Sequence, residues 1–286
     1  MSFDTPLRYP GGKGRLTNYI AAVIRDNDLI GGVYAEPFAG GAGMAISLLL
    51  SEYVRHIYIN DIDRYVYAFW YSVIHHNQDL RDLITETPVT MEQWHLQREI
   101  QQKEGASILE LGFSTFFLNR TNRSGILNGG VIGGLQQNGE YKLDARFNKL
   151  DLSNRIRKIG NYAWRIHLTN LDAREFIQQT IPSLPANSLI YFDPPYFVKG
   201  QKLYENHFTP DDHAYLAHQI VKVNLPWLVS YDNVSEIAQL YESFPQKVFS
   251  LNYSAQKHYE ASELMIFSER LKRPEAIIPT RASLSG

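Results

Sequence analysis

The sequence predicts an α/β fold: an open, doubly wound, mostly parallel sheet of seven strands, with one helical insertion. Three observations predict it. Seven short apolar runs recur along the 286-residue chain, most of them separated by segments of helical periodicity. Such alternation calls for right-handed crossovers and a parallel sheet covered on both faces. The last two runs leave no room for a long helix between them, which predicts an antiparallel pair at one edge. One long stretch carries helical patterns but no strand-like run, which marks an insertion.

The strand candidates are Val33–Phe38, His56–Asp61, Trp164–Asn170, Ser188–Asp193, Trp227–Asp232, Lys247–Ser254 and Glu263–Ser268. Between them, Ala42–Tyr53 carries apolar residues at helical spacing. Pro210–Val223 opens with Thr209 as N-cap and proline at the first helical position. The insertion covers 64–163. Within it Tyr65–Ile84 reads as one helix, Thr90 with Gln93 as a capping box before a second, and Ser107–Arg120 as a third. Gly125–Gly134 then places short apolar pairs between glycines and leads to Tyr141-Lys142-Leu143, an irregular hairpin. The catalytic domain is expected over 1–63 and 164–273, and 274–286 as a flexible tail.

The apolar fraction of 44% supports a real core and excludes a wholly disordered chain. The absence of cysteine excludes a disulfide framework, a thiolate nucleophile and cysteine-ligated zinc, and with them the zinc-dependent base deaminases. No metal is expected. The segment Met1–Gly14 is polar and glycine-rich, unlike a signal peptide, and no apolar run reaches membrane-spanning length, so a cytoplasmic protein without membrane contact is expected. The net charge is −2, yet Lys142, Arg146, Lys149, Arg155, Arg157, Lys158 and Arg165 gather against only Asp144 and Asp151. A cluster of that kind is either a solvated face or a nucleic-acid footprint.

Glu36-Pro-Phe38-Ala-Gly40-Gly41-Ala-Gly43 follows a strand and opens a helix, where open α/β sheets bind cofactors. Glycines there let backbone approach a ligand closely; a plain structural turn is the alternative. The spacing differs from the dinucleotide fingerprint G-x-G-x-x-G, which disfavours a nicotinamide-dependent oxidoreductase. Asp61, in Asn60-Asp61-Ile-Asp63, ends the second strand, where an acid can accept both hydroxyls of a ribose. Asp63 reads as the cap of the next helix. The pair of motifs indicates a nucleoside site without naming the nucleoside.

Ile190-Tyr-Phe-Asp193-Pro194-Pro195-Tyr196 decides the chemistry. Proline has no N–H, so the segment cannot continue as a central strand. The Asp193 carboxylate and the Pro194 carbonyl then offer two acceptors for the two N–H donors of an amino group. Tyr196 adds a face on which a planar base can stack, a contact worth about 1–3 kcal/mol. An exposed β-turn would explain the prolines but not the aromatic residue. An exocyclic amine is a poor nucleophile because its lone pair is delocalised into the ring. Gripping both N–H groups favours a pyramidal nitrogen whose lone pair can meet a sulfonium methyl. Catalysis is then orientation and electrostatic preorganisation, and the base must leave its stack.

These motifs, in this order, resemble the Dam-like (D12 class) family of DNA adenine-N6 methyltransferases over nearly the whole chain. The resemblance runs from Arg8-Tyr9-Pro-Gly-Gly12-Lys13 through Glu36–Gly43 and Asn60-Asp61 to Asn170-Leu-Asp172 and Asp193–Tyr196. It implies a seven-stranded S-adenosylmethionine-dependent methyltransferase sheet with an inserted target-recognition domain. The implied activity is site-specific transfer of methyl from S-adenosyl-L-methionine to N6 of a flipped adenine in double-stranded DNA. Asp193, Pro194 and Tyr196 would be catalytic. Tyr9, Gly12, Lys13, Glu36, Phe38, Gly40, Gly41, Asp61 and Asp172 would bind the cofactor, Asp172 near its adenine; Lys13 also reads as a surface lysine and Asp172 as a helix cap. Asn119, Arg120, Asn122, Arg123, Lys142 and Arg146 would meet DNA, the arginines reading guanine or holding phosphates. Members that read GATC carry an aromatic–Asn pair before the glycine, where this chain has Arg123-Ser124. A cognate restriction endonuclease is compatible with this role and need not touch the protein. The alternatives are a methyltransferase for an RNA base or a protein glutamine amide, and a non-catalytic DNA-binding protein on the same fold. Intact Asp193 and Tyr196 disfavour the last.

Overall fold

The computed structural model describes residues 4–8, 16–198, 208–252 and 260–275. Seven strands form one sheet: β1 (Gly32–Glu36), β2 (Val54–Asn60), β3 (Ile166–Thr169), β4 (Ser188–Phe192), β5 (Trp227–Asp232), β6 (Gln246–Asn252) and β7 (Glu260–Phe267). Their order is β3-β2-β1-β4-β5-β7-β6. Strands β1 to β5 run parallel, and β7 lies antiparallel between β5 and β6. Each apolar run supplies one strand, and the edge pair is antiparallel as predicted. β1, β4 and β5 are buried at every position, because a parallel sheet is covered by helices on both faces. The third run starts late: Trp164 sits in a 3-10 turn, Ala163–Arg165, and is 68% exposed.

The helices are α1 (Thr17–Asp26), α2 (Gly43–Leu50), α3 (Arg64–His75), α4 (Asn77–Glu86), α5 (Met91–Gln102), α6 (Ile108–Thr121), α7 (Lys149–Gly160), α8 (Ala173–Gln179), α9 (Pro210–Ile220) and α10 (Ser235–Leu240). Three expectations change. The single helix predicted over Tyr65–Ile84 is two, α3 and α4, separated at His76, whose backbone leaves the helical region at φ −125°, ψ 39°. Asn77 ends α3 by donating its amide to the Val73 carbonyl, and it also reaches Ile156 of α7. Thr90 caps α5 by accepting from the Gln93 N–H, but only half of the predicted box forms, because Gln93 turns to Gln97 instead. Within the insertion a reciprocal box forms at α6, between Ser107 and Glu110.

No hairpin forms over Gly125–Leu143. A single antiparallel bridge, Asn122 to Val131, is its only β-pairing. Gly125, Gly133 and Gly134 adopt positive φ, and the segment folds through successive turns. The Gln137 side chain holds them, donating to the Ile132 and Gly134 carbonyls and accepting from the Leu143 N–H. Local side-chain bonds have replaced a ladder.

Two hydrophobic clusters lie on the two faces of the sheet. One joins Tyr34, Leu48 and Ile57 to Phe69, Trp70, Trp94, Phe116 and Phe117, so the inserted helices share a continuous core with that face. The other packs Phe176, Leu216 and Ile237 against Ile190, Phe192, Trp227 and Tyr231. Among the described residues no helix is long and apolar enough to cross a membrane. The expected tail lies, from residue 276, outside the described residues.

Candidate active site

In the order β3-β2-β1-β4-β5 the direction of winding reverses between β1 and β4. Ligands of open α/β sheets bind at the carboxyl ends of the strands beside such a reversal. Glu36 closes β1 there, and Asp193 follows β4 directly. Asn60, buried at the end of β2, ties three segments together. Its amide donates to the Pro37 and Leu171 carbonyls, and its oxygen accepts from the Leu171 N–H and the Thr169 hydroxyl.

Asp61 receives the Gly40 N–H on one oxygen at 2.8 Å and the Asp63 N–H on the other at 2.9 Å. Burial pushes its carboxyl up to about 7, opposed in part by those two bonds. Each carboxylate oxygen has two lone pairs, so both can still accept a hydroxyl. Asp63 caps α3 through the Tyr65 and Val66 N–H groups, as the sequence suggested. The glycine turn takes left-handed backbone at Gly40 and also at Ala42 (φ 47° and 43°). From the insertion, Trp70 donates its indole N–H to the Gly40 carbonyl at 2.9 Å. Glu36 is buried and accepts the Tyr34 phenol at 3.0 Å. Burial pushes Glu36 up to about 8; the Tyr34 bond pulls it down and the Asp193 charge pushes it up.

The Asp-Pro-Pro-Tyr segment is held from β5 and β7. Ser230 donates to one Asp193 oxygen at 3.0 Å and shares a 2.7 Å bond with the Tyr191 phenol. Tyr196 donates its phenol to Glu263 at 2.6 Å. Asp232 accepts the Phe197 and Val198 N–H groups, one on each oxygen, at 2.8 and 3.0 Å. Behind this segment stands an aromatic wall, with Phe197 and Phe208 against His213 and Phe38 edge-on to Phe208. His213 is buried and bonded to Tyr231, and burial lowers its pKa.

The structure therefore brings Glu36, Phe38, Gly40, Gly41, Asp61, Asp193, Pro194 and Tyr196 to one edge of the sheet. Tyr9, Gly12 and Lys13 lie outside the described residues. Asp172 is the N-cap of α8, in a reciprocal box with Glu175, and pairs with Arg174 at 2.8 Å. Asn119 and Asn122, expected at DNA, are instead buried and bonded within the protein. Asn119 grips the backbone N–H and carbonyl of Arg8 and the Gly125 carbonyl. Asn122 accepts the Trp94 indole and donates to the Ile126 and Leu127 carbonyls. Each amide has both N–H donors and its oxygen engaged in these three bonds, which shape the loop. Arg120 is partly buried, donating to the Arg146 and Pro6 carbonyls. Burial, with Arg8 and Arg155 nearby, lowers its pKa to about 10. Arg123, Lys142 and Arg146 are exposed.

Sequence reasoning missed Asn60, Trp70, Ser230, Asp232 and Glu263. A usable signal existed for two of them. Asp232 ends an apolar strand run, as Asp61 and Asp193 end theirs, and Glu263 opens another; acids in such runs face either a partner or a ligand.

A family model described as D12 class N6 adenine-specific DNA methyltransferase matches residues 9–257. No curated protein matches the chain. Among solved structures, a provisionally named RNA methyltransferase from Pyrococcus horikoshii is similar at 10% identity and a TM-score of 0.43, over 92% of this chain and 86% of that one. The rRNA methyltransferase aviRa from Streptomyces viridochromogenes is similar at 14% identity and a TM-score of 0.35, over 88% and 84%.

Proposed function

The chain belongs to the D12 class of N6 adenine-specific DNA methyltransferases, and we propose that it methylates N6 of an adenine flipped out of double-stranded DNA, using S-adenosyl-L-methionine. One observation carries this reading: Asp193, with one oxygen bonded by Ser230, follows β4 at the carboxyl ends of the strands where Glu36 closes β1 and Asp61 follows β2, and Tyr196 nearby is tethered to Glu263. The donor set suits the cofactor. Asp61 would accept its ribose hydroxyls, the glycine turn admits close approach, and Glu36 places a titratable carboxyl near a cation. When bound, the cofactor supplies an electrophilic sulfonium methyl.

The protein's own part is to hold the amine. Asp193 and the Pro194 carbonyl would accept its two N–H groups, and Tyr196 would stack on the base. The crevice would exclude water while the nitrogen turns its lone pair to the methyl. Residues 64–163 would recognise the target. Arg123, Lys142 and Arg146 are the exposed candidates there, with Arg120 and Arg8 enriching the positive field. The test is labelled methyl transfer to duplex DNA, followed by nucleoside analysis. N6-methyladenine is expected; label confined to RNA or to protein overturns the reading.

A further inference from the structure

The register of β5 and β7 sets Asp232 directly beside Glu263. Opposed residues of an antiparallel pair project to the same face, and like charges placed so destabilise a sheet. Glu263 is also almost wholly buried, at 1% exposure, and burying a carboxylate costs more unless hydrogen bonds satisfy it. The segment after Pro195 bonds to both residues. Asp232 takes the Phe197 and Val198 N–H groups, and Glu263 takes the Tyr196 phenol. At 2.6 Å the latter bond lies in the range for a hydroxyl donating to a carboxylate.

The two acids act on different ends of one ring. Asp232 fixes the backbone next to Tyr196, and so the root of the side chain. Glu263 fixes the phenol oxygen, and so its tip. With root and tip both held, the long axis of the ring is set. The phenol hydrogen lies near the ring plane, so its acceptor also limits rotation about that axis. Anchoring the loop alone would be served by Asp232; the buried acid on β7 adds control of the ring.

We propose that Glu263 is a positioning residue of the methyl-transfer site, which sets the plane of Tyr196 against which the target base stacks. This rests on the reading of Tyr196 as that stacking plate. The experiment compares Glu263→Leu, Tyr196→Phe and the double variant in methyl transfer to duplex DNA. Each single change is expected to lower kcat by about tenfold to a hundredfold, as misplacement of a reacting group does. KM for S-adenosyl-L-methionine and the melting temperature should change little. Because both changes remove one bond, the double variant should be no worse than the poorer single. A duplex carrying 2-aminopurine at the target position supplies an optical readout: the variants should quench its fluorescence less than the wild type. Glu263→Leu at wild-type kcat, or losses that multiply in the double variant, would overturn the proposal while leaving the function standing. A wild-type protein that transfers no methyl to DNA instead sinks the functional reading, and the premise with it. Tyr196→Phe leaves Glu263 in place, so the bond is tested even where the substitution on β7 impairs folding.

Discussion

At Asp193 what matters is where two oxygens point. Ser230 holds one of them, and the Tyr191 phenol lies against Ser230 in turn. Asp193→Ala removes the proposed acceptor. Its kcat should fall by at least about a thousandfold, in keeping with loss of a preorganised polar group. Cofactor affinity, read by calorimetry, should stay near wild type; an active variant would contradict the acceptor frame. Asp61 and Glu36 carry a pH dependence. Their folded-state values, about 7 and about 8, lie above those of unfolded carboxyls, so folding takes up protons. The corresponding stability is fully present near and below pH 4 and is lost as pH rises through those folded values. Thermal melts of the cofactor-free protein should therefore show these two carboxyls lowering stability from mildly acidic pH toward pH 8, and Glu36→Gln should flatten that slope. A cationic cofactor favours ionised Glu36. Its binding at pH 7 should release protons, seen as a buffer-dependent binding enthalpy that Glu36→Gln removes.

At the scale of elements, the C-terminal end of α6 does two separate jobs. Asn119 and Asn122 hold the glycine-rich loop from inside, whereas Arg123 stands outside it. Asn119→Ala strands backbone groups of Arg8 and Gly125, at about 1–3 kcal/mol for each buried group left unpaired. It should lower the melting temperature and weaken DNA binding alike for all sequences. Arg123→Ala should leave stability within about 0.5 kcal/mol, as exposed substitutions do, and should alter base preference in a binding selection. A uniform loss with a shallower salt slope would mark Arg123 as a phosphate contact instead.

Across the whole molecule, the insertion and the cofactor edge are joined rather than merely adjacent. Trp70 bonds the Gly40 carbonyl, and the segment 4–8 runs between the two parts. Thr5 donates to the Gly41 carbonyl, Asp4 meets Ser47 and Lys158, and Arg155 and Arg120 bind the Thr5 and Pro6 carbonyls. Trp70→Phe keeps the ring in the core but deletes the N–H. It should weaken S-adenosyl-L-methionine binding several-fold, by about the 1 kcal/mol of a net hydrogen bond. Unchanged affinity would show that the turn holds its shape without that bond.

The seven strands, the antiparallel edge pair and the break that Asp193-Pro194-Pro195-Tyr196 makes after β4 were legible in the chain, because each depends on neighbours in sequence. Apolar runs with helices between them admit few topologies, and Asp193-Pro194-Pro195-Tyr196 cannot be a continuing strand. Asp61 and Asp63 were separable by the same local logic. The break at His76 was not, because apolar spacing continues across it and the stop comes from Asn77 reaching Val73 and the distant Ile156. Nor was the burial of Asn119 and Asn122, whose polarity suggested a surface while their partners lie at Arg8 and Trp94. The bond between Tyr196 and Glu263 spans 67 residues and exists only because β7 turns back beside β5. By itself the sequence determined the alternation of strands and helices and the segments that follow the strands. Tertiary structure alone decided how each is aimed, since the direction of a side chain follows from hydrogen bonds to residues far away in the chain.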